Sequence, residues 1–146
     1  RIGSESSPTL SDVAAALMAG ADLAYMGTRF IATQESQAQG EYKAMLTETS
    51  AKDITYTDAI SGINANFLTP SLVAHGLDPA AAKDPHHKID MDKELDAEAK
   101  AWKTIWSAGQ GVGSIHEVLA TEALVTRLKD EFAEARADFA ARAAGY

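Results

Sequence analysis

Gly20-Ala21-Asp22-Leu23-Ala24-Tyr25-Met26-Gly27-Thr28-Arg29-Phe30 is the stretch on which the reading of this chain turns. Ahead of it, Leu10, Val13, Ala14, Leu17 and Met18 recur at i, i+3, i+4, i+7 and i+8, which makes one apolar face of an amphipathic helix. Thr9 or Ser11 can cap that helix, and Gly20 can end it by entering the left-handed region. Leu23 to Met26 then reads as a short buried strand, apolar on both faces as strands of a parallel sheet are. It stops at Gly27-Thr28, where a glycine lets a ligand approach the backbone. Thr28 to Ile31 can open a turn or helix whose amides face that ligand. Helix, buried strand and glycine-led turn, in that order, are the layout of an anion site at the carboxyl end of a parallel strand. The competing reading makes Gly27 a plain strand-to-helix turn and Arg29 half of a surface ion pair.

Bulk properties narrow the class. The 146 residues fit one domain, and 46% hydrophobic content is ample for a core. A formal net charge of −8 argues against nucleic acid or an anionic membrane as the main partner. With no cysteine, neither disulfides nor thiolate metal sites can form. No apolar run reaches ~18 residues, and Arg1 to Leu10 is too polar for a signal peptide. A cytoplasmic protein is the expectation.

Downstream, Thr33 to Ala51 reads as helical, with Tyr42, Met45 and Leu46 on a short apolar face and Glu41, Lys43 and Glu48 outside. Lys43 can approach a ligand, although a solvated lysine is the simpler reading. Ile54 and Tyr56 alternate with Thr55 and Thr57, so Asp53 to Asp58 is expected to be extended, and a lone strand there needs a partner. Pro70 fits the first turn of a short helix ending near Gly76. Asp78 to Lys93 is the most linker-like part. His86 and His87 lie within it, and neither they nor His75 and His116 have a partner at metal-ligand spacing.

Asp92 can cap a helix that displays Leu95, Ala99, Trp102, Ile105 and Trp106. The tryptophans are first core residues and second a wall for a bound ligand. Gly109-Gln110-Gly111-Val112-Gly113 follows at once, without the spacing or preceding strand of a dinucleotide fingerprint. It is expected to turn the chain tightly, with Gln110 a candidate polar contact. The last element, about Leu119 to Ala144, carries a narrow seam of Val125, Leu128, Phe132, Ala135 and Phe139.

The run Val13 to Ala21, then Ala24-Tyr25-Met26-Gly27-Thr28-Arg29-Phe30-Ile31-Ala32-Thr33, resembles the nitronate monooxygenase (2-nitropropane dioxygenase) family. Glu35-Ser36, Tyr42-Lys43 and Trp106-Ser107-Ala108-Gly109-Gln110-Gly111-Val112-Gly113 extend the match from about Ser11 to the last helix. The resemblance implies an α/β fold: the C-terminal part of a (β/α)8 TIM barrel that holds FMN, with a helical cap, mostly α-helical within this chain. A barrel needs ~250 residues, so 146 residues are expected to be a fragment, inactive by itself.

On that basis residues 1–52 are the last barrel βα units with the phosphate-binding loop, 53–118 a cap over the barrel mouth, and 119–146 the C-terminal helix. Gly62 to Leu68 resembles a family loop over that mouth, where Asn66 holds a turn or meets substrate. The resemblance puts the flavin phosphate on the Gly27 and Thr28 amides and the Thr28 hydroxyl. Tyr25 and Met26 line the cofactor, and Gln110 reaches the ligand. It implies an alkyl nitronate and O2 as substrates and allows a homo-oligomer. No histidine here matches the family's catalytic one, so no catalytic residue is assigned. The alternative is a non-catalytic helical domain acting through protein–protein contacts on its apolar seam.

Overall fold

The computed structural model describes residues 10–58, 60, 64–80 and 105–145. Arg1 to Pro8, the histidines at 86 and 87, and residues 92–104 of the helix expected from Asp92 lie outside the described residues, as do Gly62 and Ile63. The chain forms two compact units. One joins the segment ending at Glu48 to Gln110–Tyr146, and the other is Thr49–Gly109.

In the first unit, α1 (Leu10–Met18) buries Ala14 and half-buries Val13, while Leu17 and Met18 are more exposed. Its end is closed as expected. Gly20 adopts φ +100°, its amide bonds the Leu17 carbonyl at 3.0 Å, and the Ala21 amide bonds Ala16 at 3.0 Å. That pairing is a Schellman cap. Leu23 to Met26 departs from the expectation: it is not a strand, Leu23 is 89% exposed and Tyr25 is 100% exposed. A strand exists only where a neighbour takes its amides and carbonyls, and no described segment lies beside this one.

The chain then forms α2 (Thr28–Ile31), and Thr33 makes a parallel bridge to Leu119. Only Gly40–Glu48 of the expected Thr33 to Ala51 helix forms, as α3, with Leu46 buried and Tyr42 and Met45 half-buried. Lys43 is occupied structurally, donating from Nζ to the Ser36 carbonyl at 2.8 Å and to Gln34 at 3.4 Å. A 3-10 turn, Gln110–Ser114, buries Gly111 and Val112 and packs against α2 and α3.

The long helix α5 (Thr121–Ala143) packs on α1. Leu124, which the seam pattern passed over, is its best-buried residue at 1% exposure. Val125, Leu128, Phe132 and Ala135 are half-buried, and Phe139 is exposed, so burial fades toward the C-terminus.

The second unit is built on an antiparallel pair, β1 (Ile54–Thr57) and β2 (Ala65–Leu68), registered Ile54 to Leu68 through Thr57 to Ala65. The strand expected at 53–58 therefore exists. Its partner comes from the segment read as a loop over the barrel mouth. Thr55 and Thr57 face inward and Tyr56 outward. Thr55 can be buried because its hydroxyl pairs with that of Thr69 at 2.9 Å.

Ile105 and Trp106 are not helical. The Leu68 amide donates to the Trp106 carbonyl at 2.9 Å, Ala108 donates to Asn66 at 3.3 Å, and Ser107 bridges Phe67 antiparallel. β2 has a free edge on that side, and satisfying it outweighs the helical pattern. Ile60, Phe67, Leu72 and Ile105 form the core, with Ala65 and Leu77 packed on it. The short helix begins with Pro70 in its first turn and closes at Gly76, φ +74°, as expected; it is α4 (Thr69–Ala74). No helix among the described residues is long and apolar enough to cross a membrane.

Candidate functional site

The first unit brings together two glycine turns that lie far apart in sequence. Gly27 stands at the N-terminal boundary of α2, where its carbonyl accepts the Phe30 amide at 3.0 Å and the Ile31 amide at 3.3 Å. Its backbone, φ −103° and ψ −61°, lies in the right-handed helical region that any L-residue can adopt. A Cβ built at Gly27 meets nothing within 4 Å. Neither dihedral strain nor the described neighbours therefore demand a glycine here.

Of the expected site residues, Gly27 is exposed, Tyr25 wholly so, and Met26 and Thr28 are half-buried. Gln110 is exposed at the head of the 3-10 turn that packs against α2. The two turns thus belong to neighbouring elements of one compact unit. His75 lies in the other unit, where its Nδ1 pairs with the Ser71 carbonyl at 2.8 Å. No group of histidine and carboxylate side chains among the described residues can hold a metal ion.

Charges around α2 were only partly legible. Arg29 is half-buried, and burial foremost, then the Arg127 charge, lowers its pKa while Glu131 and Glu117 oppose the shift. Arg127 itself donates from Nη2 to Glu117 Oε1 at 2.8 Å. Arg29 therefore feels the charges of Arg127, Glu131 and Glu117 together. A shallow hollow along α5 is lined by Glu122, Arg127, Asp130, Glu131 and Glu134 among others. Its acidic lining is unsuited to a phosphate, and none of the expected site residues borders it.

Glu35 is the residue whose role the sequence concealed. Its Oε2 accepts from the Thr121 amide at 2.9 Å and from the Thr121 hydroxyl at 2.7 Å, and these bonds hold its carboxyl below the usual glutamate range. The partner lies 86 residues away, so no local pattern can announce it.

Fold and turn together define a mixed α/β chain with a glycine-led helix start. The nitronate monooxygenase family model matches residues 9–131. A curated nitronate monooxygenase of Paraburkholderia phytofirmans is 36% identical over 126 residues, which cover 82% of this chain and 34% of that protein. The nitroalkane oxidase structure from Streptomyces ansochromogenes aligns with a TM-score of 0.62 at 36% identity, over 89% of this chain and 38% of its own. FabK from Thermotoga maritima aligns at a TM-score of 0.67 and 23% identity, over 92% of this chain and 44% of its own, a likeness of fold. The chain belongs to the nitronate monooxygenase family, and it spans about a third (34%) of the length of that curated relative.

Proposed function

We propose that this chain is the C-terminal part of an FMN-dependent enzyme that oxidises alkyl nitronates with O2. In this reading the described elements belong to the last units of a (β/α)8 barrel and its cap, in a cytoplasmic protein. What supports the reading is the family match together with Gly27, whose backbone lies in the ordinary helical region and whose Cβ position meets no described atom within 4 Å, which leaves room for a ligand against the backbone.

The Gly27 and Thr28 amides and the Thr28 hydroxyl hold the flavin phosphate at the start of α2. Amides of a helix's first turn point outward and suit an anion. Arg29, within α2, adds a positive charge beside this turn, and Glu117 and Glu131 oppose it. Tyr25 and Met26 lie along the cofactor, where the exposed tyrosine ring gives up its contact with water. Gln110, on the turn that packs against α2, offers an amide to cofactor or substrate. Bound FMN supplies the redox chemistry, and these residues bind it, orient it and exclude water.

The test compares FMN with riboflavin, which lacks the phosphate. Hydrogen bonds to a charged acceptor contribute about 1.5–3 kcal/mol each, so FMN should bind at least about tenfold more tightly in a fluorescence titration. Equal affinity for the two would remove the phosphate from this turn. The 146-residue chain alone should show no nitronate-dependent oxygen uptake, since no described residue is assigned as a base. Robust turnover by the pure chain would contradict that.

A further inference from the structure

We propose that Glu35 is a positioning residue for the Gly27–Thr28 turn. Its carboxylate supplies the N-terminal cap that α5 lacks and so fixes α2 to the start of that helix. The functional consequence rests on the flavin-phosphate reading; the mechanical coupling does not.

The cap residue of α5 is Ala120, which makes no side-chain capping bond. Alanine is among the poorest N-caps, and every α-helix begins with amides that lack an intrahelical acceptor. Glu35 fills the role from outside, taking the Thr121 amide and hydroxyl on a single oxygen. A carboxylate at that position also faces the positive end of the helix dipole.

From Glu35 the path back to Gly27 is bonded at each step. The Gln34 amide donates to the Leu119 carbonyl at 2.9 Å, just ahead of α5, and Thr33 bridges the same residue. The Thr33 hydroxyl donates to the Phe30 carbonyl at 2.8 Å, inside α2, and the Phe30 amide returns to Gly27. On the other side of this connector, Lys43 Nζ holds the carbonyls of Ser36 and Gln34. Ala32 and Thr33 are buried. The connector has little freedom of its own, so a change at the Thr121 clasp is passed to the turn rather than absorbed.

The clasp responds to pH in a definite direction. Thr121 hydrogen bonds lower the Glu35 pKa, so the clasp is complete above the ordinary glutamate range and is lost as pH falls through the lowered value. Lys43 is the other charged group that bears on Glu35, and it favours the ionised form. Glu117 and Glu131 act on Arg29 within α2, so the step that belongs to Glu35 is the one that Glu35→Gln removes.

The experiment follows the backbone amide resonances of Gly27, Thr28 and Thr121 in the 146-residue chain between about pH 7 and about pH 3. Wild type is compared with Glu35→Gln and Thr121→Ser. All three amides should move with one midpoint below the ordinary glutamate range. Thr121→Ser, which keeps a hydroxyl, should retain that common step, and Glu35→Gln should abolish it. Gly27 and Thr28 curves that are the same in Glu35→Gln as in wild type would overturn the proposal. If Glu35→Gln does not fold, wild type decides, since a Thr121 midpoint that Gly27 and Thr28 do not share also overturns it. FMN and riboflavin titrations separate the two readings. Glu35→Gln should weaken FMN several-fold and leave riboflavin unchanged. A flat FMN response beside a shared amide midpoint would leave the coupling standing and count against the flavin phosphate.

Discussion

Gly27→Val is the substitution that most directly separates a ligand role from a folding role. The added Cβ meets no described atom within 4 Å, and the backbone at φ −103° and ψ −61° needs no left-handed conformation. Replacing glycine removes unfolded-chain entropy worth about 0.4–1 kcal/mol in favour of the fold. A β-branched residue at a helix start gives back a comparable fraction, roughly 0.5 kcal/mol. The net effect on stability should therefore lie within about 0.5 kcal/mol, a shift of a few degrees at most in Tm. Ligand affinity should behave otherwise. If valine methyls keep the phosphate from two amides, each contributing about 1.5–3 kcal/mol to a charged acceptor, the loss is about 3–6 kcal/mol. That is roughly a hundredfold to ten-thousandfold in Kd. Thermal unfolding, with fluorescence titrations of FMN and riboflavin, measures both quantities on one preparation. Wild-type FMN affinity in a well-folded variant would refute the assignment. So would an equal loss for riboflavin, because the effect would then not concern the phosphate.

Two further outcomes concern the fold. Ser71 is buried and its Oγ accepts the Trp106 amide at 2.8 Å, so Ser71→Ala should destabilise the second unit by about 1–3 kcal/mol, read as a lower urea midpoint with unchanged slope; a midpoint equal to wild type would mean this bond contributes nothing net. Leu23 to Met26 joins no described strand and exposes Leu23 and Tyr25, so the chain should self-associate or remain loosely packed in dilute solution. Sedimentation with amide exchange checks this, and a strict monomer with strong protection at Leu23 to Met26 would contradict it.

The sequence by itself determined whatever is settled within a few residues. α1 and its end at Gly20 were legible, as were α4 between Pro70 and Gly76, because capping bonds such as Ala21 to Ala16 close inside one turn. The glycine-led start of α2 was visible for the same reason, and with it the family. Only the tertiary structure decided the rest. Thr55 and Thr57 face inward although Ile54 and Tyr56 are the more apolar pair, because strand orientation depends on what covers each face and Thr69 was there to satisfy a buried hydroxyl. Trp106 left its helical pattern because β2 had amides to satisfy. Leu23 to Met26 reads as a strand, yet a strand is a relation between two segments, and its own residues cannot supply the second. Glu35 is the limiting case: a carboxylate among polar residues became the cap of a helix 86 residues away, and the bond exists only once the chain has folded back on itself.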